Sequence, residues 1–163
     1  MSKLKYSDDE RALADLANRV LPGGSFGNIS SNIIIKQGRG GRVWDVSGNE
    51  YVDFLLGSGP MLIGHGNEEV LAAVREQIEI GQTFFANNEP GIRLAAEIVD
   101  ALACADKVRY VSSGSEANFY AMRLARAYRK RDRILKFEGG YHGMSDYALM
   151  SMRPKRPGNF PQA

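Results

Sequence analysis

The sequence predicts an α/β protein, in which a helix and an antiparallel β-meander precede a larger, parallel α/β part. Between residues 33 and 56, short apolar and β-branched runs are separated by turns containing Gly and Asn, which is typical of antiparallel strands. From residue 107 onward, an apolar run, a long helical pattern and a second apolar run follow one another, as in a β–α–β unit with a right-handed crossover. We therefore expect a small-domain segment over 1–66 and an α/β domain over 67–163.

The N-terminal segment begins with an amphipathic helix. Ser7 can cap this helix and acidic residues fill its first turn, while Leu13, Leu16 and Val20 recur on one face. A small polar loop, 25–31, follows, and a solvated connector is favoured over a ligand-facing loop there. The three predicted strands of the meander span 32–37, 42–46 and 50–56.

Two further helical patterns, at 67–81 and 90–103, separate the meander from the β–α–β unit. Cys104, the single cysteine, continues the second apolar pattern, so we expect a buried free thiol in a reducing compartment. His65 lies between two glycines, where we expect a structural role with a hydrogen bond to the backbone rather than catalysis.

Two glycine-rich turns stand where predicted strands end. The strand 107–112 leads into the small-residue turn 113–115 and then into a helix that reaches about residue 130. Such a turn directs backbone N–H groups and the positive end of a helix dipole to one point, where a phosphate can bind. Taken alone, it is equally consistent with a well-capped helix. The next strand, 133–138, ends in the glycine-rich turn 139–143, so we expect both turns at the carboxyl edge of one sheet, where open α/β sheets bind ligands.

Composition and motifs exclude several functions. The 21 basic and 19 acidic residues give a net charge of +2, too balanced for a nucleic-acid partner. No apolar run reaches the roughly 18 residues of a membrane span, and no apolar leader opens the chain, so we expect a cytoplasmic protein without a membrane partner. The sequence also lacks the nucleotide-binding P-loop motif and the Gly-x-Gly-x-x-Gly motif of dinucleotide-binding proteins after its first predicted parallel strand. It has no Cys/His cluster with metal-ligand spacing and no Gly-x-Ser-x-Gly nucleophile elbow of the hydrolases. A small phosphate with the aromatic face of Tyr141 beside it remains, which suggests a phosphorylated aromatic cofactor.

These residues resemble a known family, the class III pyridoxal-phosphate-dependent aminotransferases, and within it most of all the glutamate-1-semialdehyde 2,1-aminomutase branch. The resemblance is carried by the runs VSSGSEAN at 111–118 and KFEGGYHG at 136–143. The run 42–53 resembles the N-terminal hairpin of the family, and 59–65 resembles the segment after that hairpin. Together these segments extend the resemblance over 21–151.

The resemblance implies a fold-type I transferase, of which this chain holds the N-terminal segment and the first half of the large cofactor domain. It also implies pyridoxal 5'-phosphate as cofactor and a homodimer in the complete enzyme, with a small-molecule amino donor and a carbonyl acceptor. The aminomutases are expected to carry a tryptophan about where Ser58 stands, so another donor or acceptor stays open. The implied cofactor-binding residues are Ser113, Gly114 and Ser115 around the phosphate, Tyr141 stacked on the ring and His142 beside it, and the implied substrate-binding residues are Asn28 and Ser58.

Two catalytic residues of the family have no counterpart in this sequence. The family's aspartate that pairs with the pyridine nitrogen and its Schiff-base lysine come later in the fold, and none of the seven lysines here matches that setting. Transamination without them has no nucleophile and no proton shuttle. We therefore expect a truncated chain with no catalytic residue of its own, inactive when alone. Two alternatives stay open: a non-catalytic remnant that keeps the phosphate-binding turn, and a pyridoxal-phosphate decarboxylase or racemase of the same fold.

Overall fold

The computed structural model describes residues 4–26 and 33–152 and divides the chain into two compact units, 1–85 and 86–163. The predicted domain limits at 66 and 67 refer to the complete fold and stay a prediction. The helices are α1 (Asp8–Val20), α2 (Glu68–Ile80), α3 (Glu89–Ala101), α4 (Gly114–Arg129) and α5 (Asp146–Leu149), the strands are β1 (Ile35–Arg39), β2 (Arg42–Asp45) and β3 (Glu50–Val52), and short 3₁₀ turns occupy Pro22–Gly24 and Leu56–Ser58.

The predicted antiparallel meander is confirmed in the first unit. Its three strands are hydrogen-bonded in the order β1-β2-β3, and Val43 on the central strand stands opposite both Gly38 and Tyr51. The central strand is buried at Val43 and Asp45, because it alone has a neighbour on each side.

A buried carboxylate links α1 to the meander. Glu10 is 1% exposed, and its Oε1 accepts a hydrogen bond from the backbone N–H of Ile34 at 3.2 Å. Its Oε2 accepts from the hydroxyl of Ser47, whose oxygen in turn accepts from the backbone N–H of Ser7 at 2.8 Å. Both carboxylate oxygens therefore have donors, which a buried charge requires, and the helix is held by polar contacts as well as by its cap.

A second polar cluster closes the β2–β3 turn around Asp45. The carboxylate accepts from the backbone N–H and side-chain amide of Asn49, each at 2.7 Å, and from the hydroxyl of Tyr51 at 2.8 Å. Burial raises the pKa of Asp45, but the hydrogen bonds from Asn49 and Tyr51 outweigh it and hold that pKa below the usual 3.8. The same hydrogen bond, followed by burial, raises the pKa of Tyr51 above 10.0.

In the second unit the predicted helices form, but the predicted parallel pair is wrong for this chain. Residues 107–111 and 131–137 carry neither helix nor sheet pairing, and the sheet among the described residues consists of the meander alone. The apolar pattern identifies segments fit for a sheet but not their neighbours, and consecutive strands are adjacent only about two-thirds of the time.

The apolar faces of the helices are much less buried than their patterns predict. Among the described hydrophobic residues, Val43 and Ala148 are buried, whereas Leu16 on α1 is 41% exposed and Ile92 on α3 is 60% exposed. The amphipathic pattern specifies a face for packing, and the described residues do not cover that face. The expectation of a buried Cys104 is also wrong: α3 ends at Ala101, so the thiol lies beyond the helix and is exposed.

No helix among the described residues has both the length and the apolar character needed to cross a membrane.

Candidate functional site

The first turn of α4 is built by its cap. The Ser113 hydroxyl oxygen accepts from the backbone N–H of Glu116 at 3.2 Å, and the Ser113 carbonyl accepts from the N–H of Ala117 at 3.0 Å. The Glu116 carboxylate reaches back to accept from the N–H of Ser112 at 2.7 Å. The predicted capping is confirmed, except that the carboxylate bonds one residue earlier than in the usual capping box.

The cap leaves two adjacent donors at the helix start. The backbone N–H groups of Gly114 and Ser115 have no acceptor within 4–26 and 33–152, and a Cβ added at Gly114 would meet nothing within 4 Å. Two N–H groups without an acceptor among those residues, the open space around the Cβ position of Gly114 and the positive end of a sixteen-residue helix suit a phosphate. We call residues 113–115 the phosphate cup.

The structure ties this cup to the second glycine-rich turn. The hydroxyl oxygen of Ser115 accepts from the backbone N–H of Met144 at 3.1 Å, and the side-chain amide of Asn118 donates to the carbonyl of His142 at 3.0 Å. Between them lies buried Gly143, at φ +101° and so close to α4 that a Cβ would stand 2.7 Å from the Cα of Ser115. The two predicted turns therefore meet through hydrogen bonds and backbone contact, without any sheet between them.

Tyr141 and His142 lie in this second glycine-rich turn, and we call residues 139–144 the ring loop. The Tyr141 side chain is 57% exposed, so its face is open to a flat ligand. The imidazole Nε2 of His142 is buried without a hydrogen-bond partner in the described part of the chain, and it lies where a Cβ on Gly140 would be only 2.5 Å away. A buried polar nitrogen without a partner is uncommon, and a polar group of a bound ligand would satisfy it.

Pyridoxal phosphate fits the chemistry of these residues, since free backbone N–H groups suit its phosphate and an exposed tyrosine ring suits stacking on its pyridine ring. The lysine nearest in sequence to the ring loop has another role: Lys136 donates from Nζ to the carbonyls of Ala148, at 2.7 Å, and Met150. Its ammonium thus caps the end of α5. A cavity of about 820 Å³ is lined by residues of α4 and of 132–151, with both apolar side chains such as Leu135 and charged ones such as Arg126. Neither Gly114 nor Ser115 lines it, so it is distinct from the phosphate cup, although it adjoins the ring loop through His142.

The two predicted substrate-binding residues lie in the first unit. Asn28 is outside the described residues. Ser58 is exposed and belongs to the run 56–59, whose backbone has positive φ at every residue, including +47° at Leu56. The Asp53 carboxylate supports this run by accepting from the N–H of Leu56 at 2.9 Å. A run of left-handed residues is strained, but substrate binding at Ser58 stays a prediction.

His65 has a structural environment. Its Nε2 bonds to the other carboxylate oxygen of Asp53 at 2.7 Å, and its backbone pairs in both directions with Gly40. The His65 hydrogen bond, helped by the N–H of Leu56, lowers the pKa of Asp53 below its usual 3.8. The partner of the ring is thus a carboxylate and not the expected backbone group. Gly38 leaves the space for the ring, because a Cβ there would stand 2.6 Å from Cγ of His65.

Asn118 and Gly143 also join the two turns, although no sequence motif predicts these contacts. Asn118 lies three residues after Ser115 and so shares its helix face, which was a usable signal. In the sequence, Gly143 is one glycine of a cluster. Nothing there distinguishes a glycine in open space from one that lies against a helix.

Comparison with known proteins identifies the family. The model of the family described as Aminotransferase class-III matches residues 26–159. Glutamate-1-semialdehyde 2,1-aminomutases are among the relatives: that of Methanosphaera stadtmanae is 40% identical over 147 residues, covering 88% of this chain and 35% of the relative. That of Clostridium novyi is 38% identical over 157 residues, covering 92% and 36%.

Solved structures agree. An omega-transaminase from Sphaerobacter thermophilus superposes with a TM-score of 0.86 at 34% identity, covering 93% of this chain and 36% of that chain. A glutamate-1-semialdehyde aminomutase from Pseudomonas aeruginosa gives 0.74 at 26% identity, covering 87% and 32%. This chain thus spans about a third of the length of its relatives, and the predicted fold class, part of a fold-type I transferase, is confirmed. The chain belongs to the class III aminotransferases, a pyridoxal-phosphate-dependent family.

Proposed function

We propose that this chain supplies the cofactor-anchoring part of an enzyme that moves an amino group between an amino acid or amine and a carbonyl compound. The observation that carries the proposal is the pair of N–H groups of Gly114 and Ser115 at the start of α4, which have no acceptor in the described part of the chain, together with the open space around the Cβ position of Gly114. The family, shared with aminomutases and transaminases, supports the reaction class.

Each residue of the site has a separate task. The N–H groups of Gly114 and Ser115 bind the cofactor phosphate, and the Ser115 hydroxyl, which accepts from Met144, still has its own proton to donate to a phosphate oxygen. Ser113 holds the helix start in place through its cap. Tyr141 stacks on the pyridine ring, and Nε2 of His142 gains a polar partner beside it. When bound, pyridoxal phosphate supplies the electron sink for amino-group chemistry.

We further propose that these 163 residues do not catalyse transamination alone. Lys136, the lysine of the second unit that adjoins the ring loop in sequence, has its ammonium engaged by two carbonyl groups, and a protonated, hydrogen-bonded amine is not a nucleophile. We still expect the complete enzyme to be a cytoplasmic homodimer.

Transamination and intramolecular amino transfer both remain compatible with the proposal. The aminomutase relatives favour the second, while the serine at position 58 and the superposition on the omega-transaminase favour the first. The donor and acceptor are therefore proposed only as a small amino compound and a small carbonyl compound.

Calorimetric titration with pyridoxamine phosphate and with pyridoxamine tests the phosphate cup without the non-specific reaction of an aldehyde with surface lysines. Since charge-assisted hydrogen bonds contribute about 1.5–3 kcal/mol each, we expect the phosphorylated compound to bind at least about tenfold more tightly. Gly114→Ala should abolish most of that preference, because its methyl group occupies the open space of the cup. Gly41→Ala, also in open space but in the first unit, should not. Equal binding of the two compounds by the unmodified chain would refute the cup.

Borohydride reduction with pyridoxal phosphate, followed by peptide mapping, tests the proposal that these 163 residues do not catalyse transamination alone. We expect scattered, substoichiometric labelling of several lysines and no amino transfer between common amino donors and keto acids. Stoichiometric labelling of one lysine, together with turnover, would show that a nucleophile is present after all.

A further inference from the structure

We infer that Asn118 is a positioning residue, which aligns the ring loop with the phosphate cup so that one cofactor can use both. The inference rests on the proposed function and extends it to a residue to which that function assigns no direct contact with the cofactor. Its basis is a single hydrogen bond, from the side-chain amide of Asn118 to the carbonyl of His142 at 3.0 Å.

The geometry shows why this bond controls alignment. Ser115 and Asn118 are three residues apart on α4 and thus on one face, and each holds one end of a three-residue stretch: Asn118 the carbonyl of His142, Ser115 the N–H of Met144. Gly143, between the two ends, lies against the backbone of Ser115. The stretch cannot slide along α4 while both hydrogen bonds exist, so the backbone that follows Tyr141 has a fixed position.

The chemistry of the side chain explains the choice of asparagine. A carbonyl oxygen needs a donor, which the amide of asparagine provides. An aspartate of the same shape would instead bring a negatively charged acceptor to an acceptor. The Ser115 bond would remain in that variant, so the cup itself would keep its N–H groups while the His142 end of the ring loop would be released.

This division of tasks gives a distinctive expectation. A ligand that is phosphate alone uses only the cup, whereas pyridoxamine phosphate uses the cup and Tyr141 together. Loss of Asn118 should therefore weaken binding of pyridoxamine phosphate while leaving binding of inorganic phosphate unchanged. A residue that merely stabilises α4 would weaken both.

The experiment compares three variants of the full chain. Asn118→Asp is the main test, and Asn118→Ala is included in case the charge disturbs folding. Arg129→Ala, in the last turn of the same helix, is the control. Without ligand, amide hydrogen exchange at Gly143 and Met144 should become about two- to tenfold faster in the Asn118 variants, the range for loss of one neutral hydrogen bond. Affinity for pyridoxamine phosphate should fall by a similar factor. Inorganic phosphate should still shift the amide resonances of Gly114 and Ser115 with unchanged affinity.

A double-mutant cycle with Tyr141→Ala completes the test. If Asn118 acts through the ring loop, the Tyr141 substitution should lose part of its effect in the Asn118→Asp background. Strict additivity, equal loss of phosphate and pyridoxamine phosphate binding, or unchanged amide exchange in the ring loop would overturn the inference. Failure of the unmodified chain to prefer pyridoxamine phosphate over pyridoxamine would instead overturn the proposed function, and the exchange measurement without ligand would still decide whether Asn118 holds the loop.

Discussion

Substitution of Gly143 by alanine should destabilise the second unit more than the same substitution at Gly139, the other ring-loop glycine with a positive φ. Gly143 has φ +101°, and its added Cβ would stand 2.7 Å from Cα, 3.0 Å from Oγ and 3.1 Å from Cβ of Ser115. All three atoms belong to Ser115, in a helix start that is fixed by its cap. The alanine therefore must either push the ring loop away from α4 or distort the cup.

The magnitude follows from two contributions. A left-handed backbone at a residue with a side chain costs about 1–2 kcal/mol, and overpacking against a fixed neighbour costs about 1–3 kcal/mol. Gly139 separates them, because it also has a positive φ, +77°, but open space around its Cβ position. Gly139→Ala should therefore cost only the backbone contribution of about 1–2 kcal/mol, and Gly143→Ala about 2–5 kcal/mol in total. The entropy that alanine removes from the unfolded chain is the same in both variants and cancels.

Urea denaturation followed by far-UV circular dichroism measures the two free energies of unfolding, with titration of pyridoxamine phosphate as a second measure. We expect a lower midpoint and weaker binding for Gly143→Ala than for Gly139→Ala. Equal losses in the two variants would show that the close approach to Ser115 contributes nothing, and the link between cup and ring loop would have to be abandoned.

Two further predictions concern other parts of the molecule. The stability of the first unit, followed by the fluorescence of the single tryptophan, should be greatest at intermediate pH. Asp45 has a lowered pKa, so its contribution is lost as the pH falls below 3.8, and Tyr51 has a raised pKa, so its contribution is lost as the pH rises above 10.0. Tyr51→Phe should weaken the acid dependence and remove the tyrosine's share of the alkaline one, whereas unchanged profiles would exclude the pair as their cause. The second unit should bind hydrophobic dyes and self-associate, because Leu135 is 98% exposed and Phe137 86% exposed, and both line one cavity. Leu135→Lys should reduce dye binding and self-association without loss of pyridoxamine phosphate binding. If self-association were undiminished, another surface would be responsible for it.

The sequence is most informative where structure is local. The cap at Ser113, the start of α4 and the antiparallel meander are all confirmed, because caps, turn residues and neighbouring strands depend on side chains a few positions apart. The phosphate cup belongs to the same class of feature. The cap leaves the N–H groups of Gly114 and Ser115 without an acceptor among the described residues, so a local motif predicts this geometry, while phosphate binding there stays a prediction.

The sequence is least informative where a partner must be chosen. The apolar runs near 107 and 133 indicate strands, yet neither is paired with the other among the described residues, since an apolar pattern specifies that a segment needs a neighbour but not which one. The prediction of a buried Cys104 is wrong for a related reason. The helix ends three residues earlier, and a shift of a few residues in a helix end decides whether a side chain packs or is exposed.

The difference between these two kinds of feature bears on how the site forms. Everything that joins the cup to the ring loop comes from α4 and residues 142–144: the amide of Asn118, the hydroxyl of Ser115 and the missing side chain of Gly143. None of these contacts requires a β-ladder between the extended segments that precede the two turns. The contacts between the two turns are therefore independent of a sheet in this unit. Hydrogen bonds and one close backbone approach hold the turns together, while the apolar segments before them have no β-ladder partner within the described residues.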